Sequence, residues 1–319
     1  MNLNIAEPPV LSAQQLKKIQ KLKKEKDAII LAHNYQRPEV QDAADVVGDS
    51  FALAKISREV KEKNIIFCGV RFMAESAKIL APEKRVVHPD PESLCTLAAM
   101  LDPEDLQKYK NKYPEAEVAA YVNTTAEIKA MVDICVTSSN AVKAIRTLSA
   151  PLVIFVPDEN LGYYIKKKLP EKEIILYPGY CRSHINITVE DLRKLKKEHP
   201  KAVALAHPEC VPEVQAEVDE IFSTSGMVNY VLNSEKEEFI IGTEKELIYR
   251  IKKELWKRGI KGKKLYGFPR AVCPNMKKIT LKKLIKSLET LKPEIKLNEE
   301  LLKKARRPLD RMVKAGRGR

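Results

Sequence analysis

The chain runs through nearly the same passage three times, and each passage leads to one cysteine. Residues 28–45 read AIILAHNYQRPEVQDAAD and residues 202–219 read AVALAHPECVPEVQAEVD, an internal repeat offset by 174 positions. Midway between them, residues 121–139 read YVNTTAEIKAMVDICVTSS, which keeps the Glu-apolar pair (Glu127, Ile128) and the closing Asp (Asp133). A hydroxyl residue follows the anchors His33, Tyr121 and His207 by 17 positions in every copy: Ser50, Ser138 and Thr224. Cysteines follow the same anchors at 62, 60 and 66 positions, as Cys95, Cys181 and Cys273, each in a proline-flanked loop. Three equivalent units can bring three thiolates to one axis.

A period of 86 to 88 residues is too long for solenoid repeats, which recur every ~20–50 residues. Each copy must therefore be a small domain, and 319 residues supply core enough for three. The expected units are 1–112 with an N-terminal helix, 113–198, and 199–319 with C-terminal helices. Short apolar runs recur ahead of helical stretches. They lie at 28–32, 64–68 and 85–87, then 118–122, 134–137, 152–156 and 174–177, then 202–206, 220–222, 239–241 and 264–266. Such near-continuous runs suit parallel strands covered on both faces by helices, which makes the fold class α/β. Ser12 and Gln15 form a capping box that opens a helix to about Lys26, and Thr280 caps another with a Leu281, Leu284, Ile285, Leu288, Leu291 stripe. Ser50, Ser138 and Thr224 each stand between a strand and a helix, where a hydroxyl residue is expected as an N-cap. Three helix N-termini would then converge where parallel sheets hold their ligands, a setting suited to carboxylates or phosphate.

Fifty-seven Lys and Arg against 43 Asp and Glu leave a net charge of +14. The lysines alternate with Leu and Ile in helical stretches as a solvated face, so nucleic-acid binding is not expected to be the main function. That reading would draw on the charge and the tail RRPLDRMVKAGRGR, but it leaves the triplicated His, hydroxyl and Cys positions unexplained. No run approaches the ~18 apolar residues of a membrane span, and the N-terminus lacks a basic-then-apolar signal segment. A cytoplasmic protein with no membrane partner is expected. Six cysteines in such a chain point to ligands, nucleophiles or core residues before disulfides.

The cysteines divide by context. Cys68 and Cys135 lie inside apolar strands and are expected in the core, Cys210 is ambiguous at a strand end, and Cys95, Cys181 and Cys273 lie among turn residues. Spacing alone leaves three readings of the last set. It can hold an iron–sulfur cluster with one iron open, or zinc with His184 as a fourth ligand, or no metal.

A resemblance narrows them. AHNYQ at 32–36, VGDS at 47–50, CGVRFMAE at 68–75, YVN at 121–123 and TSSNA at 137–141 recur along the chain with PDENLG at 157–162 and PGYC at 178–181. AHPEC at 206–210, STSGM at 223–227 and CPNMKKITL at 273–281 complete a set that closely resembles the quinolinate synthase family over roughly 28–312. Arg71 and the pair Arg182-Ser183 depart from the family's usual residues, and neither departure touches an expected ligand. The resemblance implies three similar α/β/α domains with parallel sheets around a pseudo-threefold axis. It implies a [4Fe–4S] cluster held by Cys95, Cys181 and Cys273, with an open iron serving as Lewis acid. It implies condensation of iminoaspartate with dihydroxyacetone phosphate to quinolinate, and a functional partner that supplies iminoaspartate. Carried over, the substrate contacts are His33, Ser50, Tyr121, Val122, Asn123, Ser138, His207, Pro208, Glu209 and Thr224, with Tyr35 and Glu209 as the proton-transfer pair. Such chemistry needs a base beside C–H bonds, and burial is expected to raise the pKa of Glu209 towards that task. His33 and His207, as neutral donors, would orient carboxylates.

Overall fold

The structure is a computed structural model that describes residues 10–316. Residues 1–9 and 317–319 lie outside the described residues, and with them most of the N-terminal stretch and the outer ends of the first and third expected units. Three parallel four-stranded sheets follow one another along the chain. The first holds β1 (Ala28–His33), β2 (Val46–Gly48), β3 (Asn64–Cys68) and β4 (Arg85–Val87). The second holds β5 (Glu117–Tyr121), β6 (Ile134–Val136), β7 (Leu152–Val156) and β8 (Glu173–Leu176). The third holds β9 (Val203–Ala206), β10 (Glu220–Ile221), β11 (Glu238–Gly242) and β12 (Lys264–Gly267). Their strand orders, β2-β1-β3-β4, β6-β5-β7-β8 and β10-β9-β11-β12, are one topology used three times. With helices flanking each sheet, these are three similar α/β/α domains, as the repeat requires.

Every expected apolar run is a strand, and its burial explains its composition. All five residues of β3 and four of the five in β7 are buried, because helices cover both sheet faces. The strand expected directly ahead of Ser50 is Val46–Gly48, three residues with two of them only half-buried.

The closing Asp of each repeat has a clear mechanical role. It stands just before the edge strand, and its carboxylate accepts from the central strand: Asp45 from Ile30 N at 2.8 Å, Asp133 from Val118 N at 2.8 Å, and Asp219 from Ala204 N at 2.7 Å. Each Asp amide donates back to the carbonyl of the same residue. This two-point clamp sets the edge-strand register and satisfies backbone groups that a sheet edge would leave unpaired.

The capping box of Ser12 and Gln15 opens the helix Ala13–Glu25 as expected, and Thr280 caps Leu281–Thr290. These two helices pack on the outer face of the first sheet, where Ile19, Leu284 and Leu288 join Ile30, Ile66 and Cys68 in one apolar cluster. The helix Glu299–Ala315 returns to the second unit: Asn140 Nδ2 donates to Met312 O at 3.1 Å and Arg311 Nη1 to Asp133 O at 2.8 Å. It also reaches the first unit, through Arg58 and Asp310 at 3.1 Å. Among the described residues, no helix is long and apolar enough to cross a membrane.

Candidate active site

The equivalent ends of the three central strands face one cavity. Its wall carries His33, Tyr35 and Ser50 from the first unit, Tyr121, Asn123 and Ser138 from the second, and His207, Glu209 and Thr224 from the third. Cys95, Cys181 and Cys273 lie in the same wall, joined by His184 and Met276 among others. The loops bearing the cysteines touch pairwise: Ser93 Oγ donates to Asn275 O at 2.8 Å, Ser183 Oγ to Val272 O at 3.0 Å, and Tyr177 Oη to Met100 O at 2.5 Å. Gly179 allows one of these loops to lie flat, since a Cβ there would meet the Pro157 carbonyl oxygen at 2.3 Å. Val122 and Pro208 sit in the turns between wall residues and are not part of the wall.

The hydroxyl residues are not the N-caps that the sequence suggested. Asp49 caps Ser50–Ser57, with its Oδ1 accepting from Ala52 N at 2.8 Å, and Ser223 caps Thr224–Asn233 in the same way. Asn140 is the N-cap residue of Ala141–Arg146. Asp-Ser and Ser-Thr each offer two candidate caps in succession, and the first is the one used. Ser50 and Thr224 become the first helical residues, leaving their hydroxyls to the cavity. Ser138 Oγ lies 3.1 Å from His207 Nε2, and Thr224 Oγ1 accepts from Asn34 Nδ2 at 2.9 Å, so each joins two units.

The two repeated histidines share one tautomer. The amide of Tyr35 donates to His33 Nδ1 at 3.2 Å, and the amide of Glu209 donates to His207 Nδ1 at 3.3 Å. A ring that accepts at Nδ1 carries its proton at Nε2. Burial lowers both pKa values to about 3, so both rings are neutral donors at physiological pH.

A hydrogen-bonded chain then links two wall residues across three units. Tyr35 Oη lies 2.5 Å from Thr243 Oγ1, which lies 2.8 Å from His184 Nε2, and His184 Nδ1 lies 2.6 Å from Glu209 Oε2. Burial disfavours charge on Glu209, but the His184 and His207 imidazoles and the hydrogen bonds from His184 and Tyr121 outweigh it and hold the carboxyl well below its ordinary range. The expectation of a raised pKa is thus reversed: the group is a stabilised carboxylate. Tyr35 moves the other way, as burial and then the Glu209 charge push its phenol up.

All six cysteines are free. Cys68, Cys135 and Cys210 are fully buried in the core, so Cys210 joins the core set. Burial raises Cys95 to about 12 and also raises Cys181 and Cys273. A further cause separates Cys95 and Cys181 from the core thiols: Cys95 feels Cys273, and Cys181 feels both Cys95 and Cys273. Three soft donors that repel one another as thiolates are arranged for a shared cationic group, which would deprotonate them on binding. Cys181, His184 and Glu209 also bring ligand atoms within 4.8 Å of one another. His184 Nε2 bonds to Thr243, while its Nδ1 lies 2.6 Å from Glu209 Oε2 and 3.1 Å from Cys181 Sγ, so the trio is also a hydrogen-bonded group. Three thiols on one wall are the donor set that a three-thiolate cluster would use.

The place of His184 three residues after Cys181 suggests only a zinc ligand, and Thr243 carries no local signal in the sequence.

Comparison with known proteins agrees with this geometry. The family model described as Quinolinate synthetase A protein matches residues 17–314. The quinolinate synthase of Methanocaldococcus jannaschii is 47% identical over 307 residues, covering 95% of this chain and 100% of that protein. That of Dehalococcoides mccartyi is 47% identical over 299 residues, 93% of this chain and 97% of the relative. That of Aquifex aeolicus is 43% identical over 324 residues, 98% and 99% of the two chains. A triplicated fold, a single cavity fed by all three repeats and likeness along the full length lead to one conclusion: the chain belongs to the quinolinate synthase family, enzymes of NAD biosynthesis.

Proposed function

We propose that the chain condenses iminoaspartate with dihydroxyacetone phosphate to give quinolinate, phosphate and two waters, in the cytoplasm, with Cys95, Cys181 and Cys273 holding a [4Fe–4S] cluster. The observation that carries this reading is the convergence of three repeat-equivalent cysteines and the Tyr35–Thr243–His184–Glu209 chain on one cavity. When bound, such a cluster would supply a Lewis-acidic iron free of protein ligands.

The protein's own groups account for binding and proton transfer. His33 and His207 present Nε2–H donors, and Tyr121, Asn123, Ser50, Ser138 and Thr224 add polar contacts for carboxylate and phosphate oxygens. A proton taken up at Tyr35 Oη passes the phenolic proton to Thr243 Oγ1, whose own proton moves to His184 Nε2. The resulting imidazolium keeps its Nδ1–H on Glu209, whose low pKa suits it to stabilise that charge. In this relay Tyr35 takes up the proton, His184 accepts it at the far end, and Glu209 acts through His184 by stabilising its charge. The substrates arrive as free small molecules, and the source of iminoaspartate is a separate enzyme.

Protein purified without air tests the reading. About four iron and four sulfide per chain are expected, together with quinolinate formed from the two substrates. Stoichiometric zinc without labile sulfide, or no quinolinate from cluster-loaded protein, would overturn it.

A further inference from the structure

The repeated Pro-Glu-Val-Gln motif contains one residue that neither the cavity nor the reaction uses. Gln41, Lys129 and Gln215 occupy the same repeat position and are buried, with 0%, 0% and 6% of their surface exposed. Gln41 Nε2 donates to Asn34 O at 3.1 Å and to Gln36 O at 2.8 Å. Gln215 Nε2 donates to Pro208 O at 2.9 Å and to Cys210 O at 2.8 Å, the equivalent carbonyls of the third unit. In the second unit Lys129 Nζ donates to Thr124 O, the equivalent of Gln36 and Cys210. Each side chain therefore braces the turn whose middle residue is Tyr35, Asn123 or Glu209.

The same three side chains also reach into a neighbouring unit. Gln41 Nε2 lies 3.3 Å from Glu246 O in the third unit, and Gln215 Nε2 lies 3.1 Å from Asn160 O in the second. Lys129 Nζ lies 5.3 Å from the ring centroid of Phe72 in the first. Phe72, Asn160 and Glu246 are themselves repeat-equivalent, so the contacts close a cycle from first unit to third, third to second, and second to first. The two amides donate to main-chain carbonyls of the neighbouring unit, whereas the lysine sets its ammonium over the ring of Phe72. Three carbonyls around Nε2 also fix the orientation of the Gln41 amide, whose Oε1 has no hydrogen-bond partner.

We infer that Gln41, Lys129 and Gln215 are positioning residues, one clasp used three times, that hold the cavity turns in register with the adjacent unit and thereby set the tautomers of His33 and His207. The link to the histidines is direct. The amides of Tyr35 and Glu209, inside the braced turns, are the donors that hold each Nδ1 unprotonated. A clasp that lets its turn rotate releases that donor, and the Nε2–H no longer faces the ligand.

This inference rests on the proposed function only for its kinetic arm. In cluster-loaded protein labelled with 15N-histidine, Gln41→Leu is expected to disturb the His33 signals and leave His207 as in the parent, and Gln215→Leu to do the reverse. Gln215→Asn keeps the amide but shortens its reach, and is the milder variant for the same comparison. Lowering of kcat by about tenfold, with a smaller change in KM, is expected for each apolar variant, as loss of orientation without loss of contacts requires. Lys129→Met should lower kcat similarly, and Lys129→Gln, which writes the clasp of the other two units into the middle one, should recover most of the loss. Unchanged histidine spectra in folded Gln41→Leu and Gln215→Asn proteins would overturn the inference, as would kcat losses that only track a lowered melting temperature. If the parent makes no quinolinate, the proposed function falls, while the histidine spectra still decide the clasp.

Discussion

Two sets of three cysteines share this chain, and they differ both in burial and in what surrounds them. Cys68, Cys135 and Cys210 have apolar neighbours on strands or at a strand end, and burial dominates their raised pKa values. Cys95, Cys181 and Cys273 are half-buried in loops, share a cavity and bear on one another's charge. The first set is predicted to matter only to stability and the second only to chemistry.

The largest expected effect lies in the loop set. Cys95→Ala, Cys181→Ala and Cys273→Ala should each lose the iron and all quinolinate formation, whereas Cys68→Ala and Cys135→Ala keep the absorbance of the cluster. Iron and sulfide analysis of anaerobic protein decides this, and a strand variant that came out colourless yet folded would break the division. Next come the wall residues beside the loop set. Glu209→Gln and Tyr35→Phe should retain iron but lower kcat by about a hundredfold, the scale of an acid–base group.

Thiol chemistry in the metal-free chain sharpens the contrast. Because burial lifts Cys95 from 9.0 to about 12, its thiolate fraction rises tenfold per pH unit throughout the range 8 to 11. Alkylation of Cys95 followed by mass spectrometry should show that slope, while the strand cysteines should react only after denaturation. Levelling of the rate near pH 9 would contradict the buried setting. The smallest effect belongs to the strand set: Cys68→Ala should lower stability by roughly 1–2 kcal/mol, as truncation of a small buried side chain does, measurable by denaturant unfolding.

Acid should affect the cavity as a whole. His33 and His207 have folded pKa values near 3 against an ordinary 6.5, so the unfolded chain binds more protons between those values. Stability is therefore intact above pH 6.5 and falls as the pH drops below it. Glu209, also lowered, adds to the loss as the pH drops below its ordinary 4.5. Melting temperatures of the metal-free chain between pH 7.5 and 5 should fall, and should fall less in His33→Gln.

Much of this architecture was legible because the repeat places chemistry at fixed intervals. The strand ends, the cavity histidines and the division of the cysteines all follow from register and local context. What escaped depends on contacts between units. Thr243 meets Tyr35 across 208 residues of sequence and His184 across 59, and no periodicity encodes such a meeting. The direction of the Glu209 shift is set by His184 and Tyr121, which reach it from another unit, and burial alone gives the opposite sign. The caps were displaced because Asp49-Ser50 and Ser223-Thr224 offer competing caps side by side.

The path of the helix Glu299–Ala315 has a mechanical consequence. It is fastened to the second unit through Asn140 and Asp133 and to the first through Arg58. Gly316 lies where a Cβ would strike Phe51, so the end of the helix also fits closely against the first unit. A strut fastened to both units resists their sliding past one another, so the walls that they contribute to the cavity keep a fixed spacing.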